Sequence, residues 1–154
     1  MRVITLFGLI LISSNVFSQQ LKIEIDWEGE KQYNIGKMSL TVPNSKNFKI
    51  NYSYGDNFKL VNQWESDKII DESSVQVSEI TYSDIDINEF NGLEKINFVS
   101  EAKFTFNSSV SKNKIFSFLE LEPIIFNDGR YKKVESFIIN YRFSNESKNK
   151  KNLI

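Results

Sequence analysis

The strongest constraint in the sequence is an alternation of apolar and polar residues with a period of two. It is clearest over residues 21–28, where Leu21, Ile23, Ile25 and Trp27 alternate with charged residues. Successive side chains of a β-strand point to opposite faces, so the pattern predicts a strand with one buried face. The same period recurs at Met38, Leu40 and Val42; Phe48, Ile50, Tyr52 and Tyr54; Phe58, Leu60 and Trp64; Ala102, Phe104, Phe106 and Val110; and Phe137, Ile139, Tyr141 and Phe143.

Turn residues divide these segments into about eight or nine short strands. We expect a turn at Gly29, a strand end at Pro43, and a hairpin loop at residues 55–57. Residues 127–129, Asn-Asp-Gly, give the strongest hairpin signal. Short strands with turns every ten or so residues predict an all-β fold, an antiparallel two-sheet β-sandwich with at most one short helix. A small barrel is the alternative way to close such a sheet.

Two segments depart from simple alternation. Residues 114–126 are apolar on both parities, which predicts a central strand covered on both faces, with Pro123 at a bend or bulge. Residues 83–93 form the one segment that favours a helix, of one or two turns, with Ser83 as N-cap and Asp86 at the third position.

A change of parity predicts a β-bulge. Val75 and Val77 point to one side of a strand, whereas Ile80 and Tyr82 have the opposite parity. One extra residue near positions 78–79 would return all four side chains to the same face.

The two ends of the chain differ from its middle. Residues 1–18 combine Arg2, an apolar run and a short polar boundary, the order of a secretory signal peptide. Residues 19–143 are expected to form the β-sandwich domain. Residues 144–154 are polar and lysine-rich, which is typical of a linker and an apparent truncation point. We therefore expect an exported protein of the periplasm, outer membrane or cell surface.

Composition excludes several classes of chemistry. The chain has no Cys and no His, so it can form no disulfide, thiolate nucleophile, histidine-assisted catalytic dyad or common zinc site. Its 19 basic and 20 acidic residues give a net charge of −1, and so no basic field for nucleic acid. We predict no catalytic, cofactor-binding or metal-binding residue and no cofactor. Thirteen Phe residues supply material for an apolar core.

Two motifs resemble known sites but lack essential parts. Residues 84–88, Asp-Ile-Asp-Ile-Asn, match the opening of an EF-hand calcium loop. However, Glu89 stands where the turn glycine belongs and Lys95 where the bidentate Glu belongs, so a capped helix start is favoured. Residues 109–112 and 147–150 match the Ser-x-x-Lys of penicillin-recognising enzymes, without their partner motifs. We interpret them as a loop and part of the linker.

Two sets of carboxylates are candidate sites. Glu24, Asp26 and Glu28 form a row on the polar side of one predicted strand, where they could bind a hard cation. Glu120 and Glu122 share a face at i and i+2, whereas a glycosidase pair sits across a cleft. In both cases the solvated face of a strand is the favoured interpretation.

Aromatic residues could line a sugar-binding platform. Alternating aromatic residues in strands more often belong to the core, which is the interpretation favoured here. The candidates are Trp27, Trp64, Tyr52, Tyr54 and Tyr82.

Several segments together resemble a known family. They are residues 21–29 (Leu-Lys-Ile-Glu-Ile-Asp-Trp-Glu-Gly), 51–53 (Asn-Tyr-Ser), 63–64 (Gln-Trp), 120–125 (Glu-Leu-Glu-Pro-Ile-Ile), 131–134 (Tyr-Lys-Lys-Val) and 136–141 (Ser-Phe-Ile-Ile-Asn-Tyr). Their order and spacing resemble the N-terminal region of the PorU sortases of the type IX secretion system, gingipain-like cysteine peptidases of the Bacteroidota. The resemblance runs from the signal peptide to the linker.

The resemblance implies a noncatalytic role. In that family the catalytic Cys and His lie several hundred residues downstream, in a caspase-like domain, and no position of this chain matches them. The family cleaves C-terminal sorting domains from secreted cargo and transfers the cargo to surface lipopolysaccharide. This chain resembles the leading β-domain, comparable in place to the gingipain propeptide. Its expected partners are proteins, either the rest of the sortase polypeptide or other type IX secretion components, with no nucleic acid and only indirect membrane contact.

Two other functions are compatible with an exported β-domain. An independent secreted or surface β-sandwich could bind carbohydrate or adhesive partners. A small outer-membrane barrel is disfavoured, because residues 21–28 place four charged side chains opposite the apolar face and the terminal strand lacks a final aromatic residue.

We predict export with cleavage after Ser18, because the apolar run ends there in a boundary with medium-sized and small residues at −3 and −1. Intact-mass measurement of the exported product checks this. A product that retains Met1 would contradict it.

Overall fold

The computed structural model describes residues 19–35, 37–52 and 58–144, and these residues form ten β-strands. The same residues form no α-helix, only three short 3-10 turns at Glu72–Ser74, Ile87–Glu89 and Leu93–Lys95. The strands are β1 (Gln19–Glu24), β2 (Trp27–Ile35), β3 (Met38–Ser45), β4 (Lys49–Asn51), β5 (Lys59–Ser66), β6 (Gln76–Asp84), β7 (Lys103–Ser111), β8 (Lys114–Glu122), β9 (Ile124–Asn127) and β10 (Arg130–Tyr141).

The strands form three antiparallel groups. In the β10 sheet the order is β1-β10-β6, and β9 pairs with the beginning of β10. In the β8 sheet the order is β4-β5-β8-β7, while β2 and β3 form a separate ribbon. Within the described ranges no sheet closes into a barrel. The predicted all-β antiparallel class is therefore confirmed. The β2-β3 ribbon is present in addition to the β10 sheet and the β8 sheet.

One apolar core joins the three groups. Phe137 of β10, Leu60 of β5, Leu119 of β8 and Val42 of β3 are all fully buried in it. Phe104 of β7 contacts Phe137 of the other sheet, with ring centroids 4.9 Å apart. Burial of each such side chain stabilises the fold by about 1.5–3 kcal/mol relative to exposure.

The predicted β-bulge in β6 is confirmed. The register of β6 against β10 shifts between the pairs Ser78–Ile138 and Thr81–Ser136. Glu79 lies within this shift and has a positive φ of 50°. Consequently Val75 and Val77 before the bulge and Ile80 after it pack against the core, whereas Tyr82 does not.

The Asp-Gly hairpin is also confirmed. Asn127 pairs with Arg130, and Asp128 and Gly129 between them have φ values of 52° and 72°. Two successive positive φ values give the twist that matches paired antiparallel strands. A second turn of this kind, at residues 112–113, joins β7 to β8 and was not predicted from the sequence.

The single strand expected over residues 21–28 is wrong, because the chain bends between β1 and β2. The Trp27 N–H donates to the Ile25 carbonyl at 3.1 Å. Asn47 fixes the bend, since its Nδ2 donates to the Glu24 carbonyl at 2.6 Å and its Oδ1 accepts from the Asp26 N–H at 2.9 Å. The first part of the segment therefore pairs with β10 and the second with β3.

Two turn predictions in the ribbon are also wrong. Gly29 (φ 60°) lies in a bulge of β2, between the pairs Trp27–Ser45 and Glu30–Pro43. Pro43 is buried inside β3 and does not end it. Because β3 pairs with β2 alone, a residue without an N–H is tolerated there.

The helix predicted over residues 83–93 does not form. Ser83 lies within β6, where its hydroxyl donates to the carboxylate of Glu135 on the neighbouring strand. Asp86, rather than Ser83, caps the 3-10 turn that follows. The sheet ladder with β10 extends to Asp84 and takes the backbone groups that a helix would need.

β8 is a central strand, as predicted, but described residues cover only one of its faces. Phe116 and Phe118 are half-buried on the opposite, outer face. Pro123 separates β8 from β9, and its carbonyl accepts from the Val134 N–H at 2.9 Å, so the chain passes there from one sheet to the other. The residues that face the core are Ile115, Ser117, Leu119 and Leu121.

Several predictions lie outside the described residues: the signal peptide at 1–18, the loop at 55–57 and the linker beyond residue 144. β10 ends two residues before Phe143, which makes an isolated bridge with Ile70. In the described part of the chain, no helix has the length and apolar character needed to span a membrane.

Trp27 joins the ribbon to β10. Its indole N–H donates to the Val134 carbonyl at 2.9 Å, and the Lys133 Nζ lies 5.2 Å from the centroid of its ring. The side chain packs against the core, as the alternation predicts, although it is only half-buried.

We expect Trp27→Ala to lower the free energy of unfolding by about 3 kcal/mol and Trp27→Phe by about 1 kcal/mol. The phenylalanine keeps most of the packing, and its main loss is the hydrogen bond to Val134. Urea unfolding of both variants checks the order. Equal losses for the two variants would show that packing of this ring contributes little.

Candidate docking surface

The calcium-like segment serves as a turn cap. Asp86 Oδ1 accepts from the Asn88 N–H at 2.9 Å and from the Asn88 Nδ2 at 2.8 Å, which holds the 3-10 turn. Asp84, at the end of β6, and Asp86 border a shallow depression of about 350 Å³ together with Arg130 and Tyr131. Nowhere in the described ranges do three or more acidic residues cluster in a way that could hold a metal ion.

The acidic row of the first strands is not brought together. Glu24 forms an ion pair with Lys22 at 2.7 Å, and this hydrogen-bonded contact lowers the pKa of the carboxyl and raises the pKa of the amine. Glu28 pairs instead with Lys46 at 3.3 Å, and Asp26 lies in the bend between β1 and β2. These carboxylates therefore act as separate surface groups.

The remaining polar candidates lie on one hairpin. Glu120 and Glu122 sit side by side on the outer face of β8, and Glu120 pairs with the Lys59 Nζ at 2.8 Å. Ser109 lies in β7 and Lys112 in the turn that follows, both exposed. The matching motif at residues 147–150 lies outside the described residues.

The candidate aromatic residues do not form one platform. Trp27 in β2, Tyr52 just after β4 and Trp64 in β5 pack against the core from different places, and Trp64 contacts the Phe106 ring with centroids 5.9 Å apart. Tyr82 lies on β6 in the other sheet and is 37% exposed. Its partial burial raises the pKa of the phenol, an effect that a hydrogen bond with the Ala102 backbone opposes. Tyr54 lies outside the described residues.

The outer face of the β8 sheet is the strongest candidate for a functional surface. Val61, Phe116 and Phe118 form its centre, and none of them is among the apolar residues that pack against the core. Strand pairing places Gln63 and Asn107 on either side of Phe118. We use the name outer face for the side of β5, β7 and β8 that carries these five residues, Val61, Gln63, Asn107, Phe116 and Phe118.

Ion pairs border the outer face at both ends. The Lys59–Glu120 pair lies at one end, and at the other the Lys114 Nζ is 2.9 Å from Glu65. An apolar centre with a polar rim is the general organisation of a protein–protein interface. Exposed ion pairs contribute little to stability, so this rim is better suited to orienting a partner than to holding the fold.

The sequence shows that the residues of this surface are apolar, but not that this side of β8 is left uncovered by the described residues. The apolar character of residues 114–126 on both parities was interpreted as burial on both faces. The alternation shows that Phe116 and Phe118 face away from Leu119, yet it gives no information on which elements cover either side.

Other exposed apolar residues are dispersed. Val110 is 60% exposed at the end of β7, and Phe126 is 42% exposed on β9. Phe126 contacts Tyr131 at 4.6 Å, and Tyr131 in turn contacts Phe98 at 5.3 Å. This smaller aromatic group lies on the β10 sheet, away from the outer face.

Comparisons with known proteins give little further information. No model of a known protein family matches the chain, and no curated protein matches it. Among solved structures, it is similar to a chain in the complex of the pro- and mature domains of RgpB from Porphyromonas gingivalis. The TM-score is 0.45 and the sequence identity 9%, over 88% of this chain and 84% of that one. A similarity this low assigns the chain to no family.

Two neighbouring residues of β8 test the difference between its faces. Leu119→Ser should lower the free energy of unfolding by about 3–5 kcal/mol, because it opens a cavity in the core. Phe118→Ser should cost only about 1 kcal/mol, since this ring lies outside the core. Urea unfolding of both variants measures the contrast. A loss for Phe118→Ser as large as for Leu119→Ser would show that the outer face is covered in the isolated chain.

Proposed function

We propose that this chain is an exported, noncatalytic β-domain like the leading domain of a type IX secretion sortase. We propose that it docks through its outer face against the peptidase domain of such a sortase. The observation that carries the proposal is the apolar centre formed by Val61, Phe116 and Phe118 between two ion-paired rims. These side chains are only half-buried, and an apolar surface of this kind is stabilised when a protein partner removes the rest of it from water.

The resemblance to PorU sortases supports the choice of partner. Two of the resembling segments contact each other, since Trp27 donates its indole N–H to Val134 and lies beneath Lys133. Most of the other resembling positions lie in β1, β5, β8 and β10, the strands that build the core. The resemblance therefore concerns mainly the framework, and the resembling positions on the docking surface are Gln63, Glu120 and Glu122.

The size of the surface constrains how the partner docks. Three strands of about eight residues give a flat area of about 400 Å². One side of a standard protein–protein interface buries about 800 Å². We therefore propose that the partner also covers the ion-paired rims at both ends of the outer face.

Titration calorimetry of the chain without residues 1–18, against a matching sortase that lacks its leading region, tests the proposal. We expect saturable binding that Phe118→Ser weakens by at least about tenfold. Phe126→Ser is the control, because it removes an exposed aromatic ring from the other sheet and should leave binding unchanged. Equal effects of the two substitutions would exclude the outer face. No binding at high micromolar concentration, together with a glycan-array signal for the chain alone, would favour the carbohydrate-binding alternative.

We also expect the chain by itself to show no peptidase or transpeptidase activity, because it has neither a thiol nor an imidazole with which to form and resolve a thioester. Incubation with a fluorogenic peptide and with a cargo protein bearing a sorting domain checks this. Turnover that persists in chain purified from a host without a sortase would contradict the proposed role.

A further inference from the structure

β7 is the strand at one edge of the β8 sheet. It pairs with β8 in unbroken register over nine residue pairs, from Lys103–Glu122 to Ser111–Lys114. Residues 104–111 contain no charged residue and no Pro. Edge strands are usually shielded by charges, Pro, bulges or a covering element, since their backbone groups would otherwise pair with another chain.

A side chain occupies the place of a neighbouring strand at one point on this edge. The Ser108 N–H points away from β8 and donates to Glu72 Oε1 at 2.6 Å. Because alternate residues of a strand direct their N–H groups to the same side, those of Phe104, Phe106 and Val110 also point outwards. In the described part of the chain no backbone group of another element pairs with them.

A groove of about 350 Å³ lies beside the same edge. Ile69, Ile70 and Val110 supply its apolar lining, and Asp71 and Glu72 supply carboxylates. Ser108 also lines the groove, and its Oγ is buried without a hydrogen-bond partner among the described residues. A buried hydroxyl without a hydrogen bond is costly, so a polar group of a segment bound in the groove would be stabilised by pairing with it.

We propose that the edge of β7 binds an extended segment of another polypeptide as an added strand. The segment has apolar side chains at alternate positions, one of which enters the groove, and a Lys or Arg that pairs with Glu72 once Glu72 leaves the Ser108 N–H. The proposal does not depend on the docking function above, because it concerns the edge of the sheet rather than its outer face.

The charge of the groove favours a foreign segment over a second copy of this chain. Arg142 lies 3.8 Å from Asp71, whereas no ion pair to Glu72 is present among the described residues. If two β7 strands paired antiparallel with Ser108 opposite Ser108, the basic residues at their ends, Lys103 and Lys112, would lie four or five positions away from the Ser108 site that Glu72 contacts. A basic, alternating segment supplies both the missing backbone pairing and the missing charge.

The probe is a blocked peptide of alternating Thr and Val with Lys at both ends. If the peptide pairs antiparallel to β7 and its Val side chains face the groove, the Val N–H groups face β7. N-methylation of the Val amides should therefore abolish binding, whereas N-methylation of the Thr amides should preserve it. Fluorescence anisotropy measures the affinities, and hydrogen exchange should show slower exchange at the Phe106 and Val110 amides in the complex.

Two variants locate the site on the protein. Val110→Lys places a charge in the groove and should weaken peptide binding by about tenfold or more. Gln76→Lys, on the edge strand β6 of the other sheet, is the matched control and should have no effect. The proposal is wrong if both methylated peptides bind equally, if no peptide binds at millimolar concentration, or if the two variants behave alike. Concentration-dependent protection of β7 without peptide would assign the edge to a second copy instead.

Discussion

The pairing of β10 on both of its sides is the interaction on which the rest of the structure depends. Its twelve residues pair with β1 and β9 on one side and with β6 on the other, so they join the beginning, the middle and the end of the described chain. Trp27 adds the ribbon through its hydrogen bond to Val134. Without β10, neither β1 nor β6 would have a neighbour within its sheet.

The sequence predicts those features that local chemistry determines. Alternation identified most strands, the parity change identified the bulge at Glu79, and the Asp-Gly pair identified the β9–β10 hairpin. The features it missed depend on residues far away in the chain. The bend between β1 and β2 is fixed by Asn47, and Ser83 is held in a strand by Glu135, which lies 52 positions later.

The same distinction explains what could be predicted of the candidate surface. Residue type and parity place Phe116 and Phe118 on one side of β8, and their apolar character is visible in the sequence. Whether that side is covered depends on tertiary packing, which a period of two does not encode. Of the carboxylates that looked like a site, Glu24 pairs with Lys22 on the same strand, whereas Glu28 pairs with Lys46, which only the pairing of β2 with β3 brings near.

The pairing of β1 with the end of β10 has a consequence for the order in which the chain folds. Gln19 lies opposite Tyr141, so the first described strand has no partner in the β10 sheet until almost the whole domain has been synthesised. Contacts this distant in sequence form late and slow folding. Until β10 has been synthesised, the backbone groups of β1 have no strand to pair with in this sheet, so the two ends of the domain join only when the chain is nearly complete.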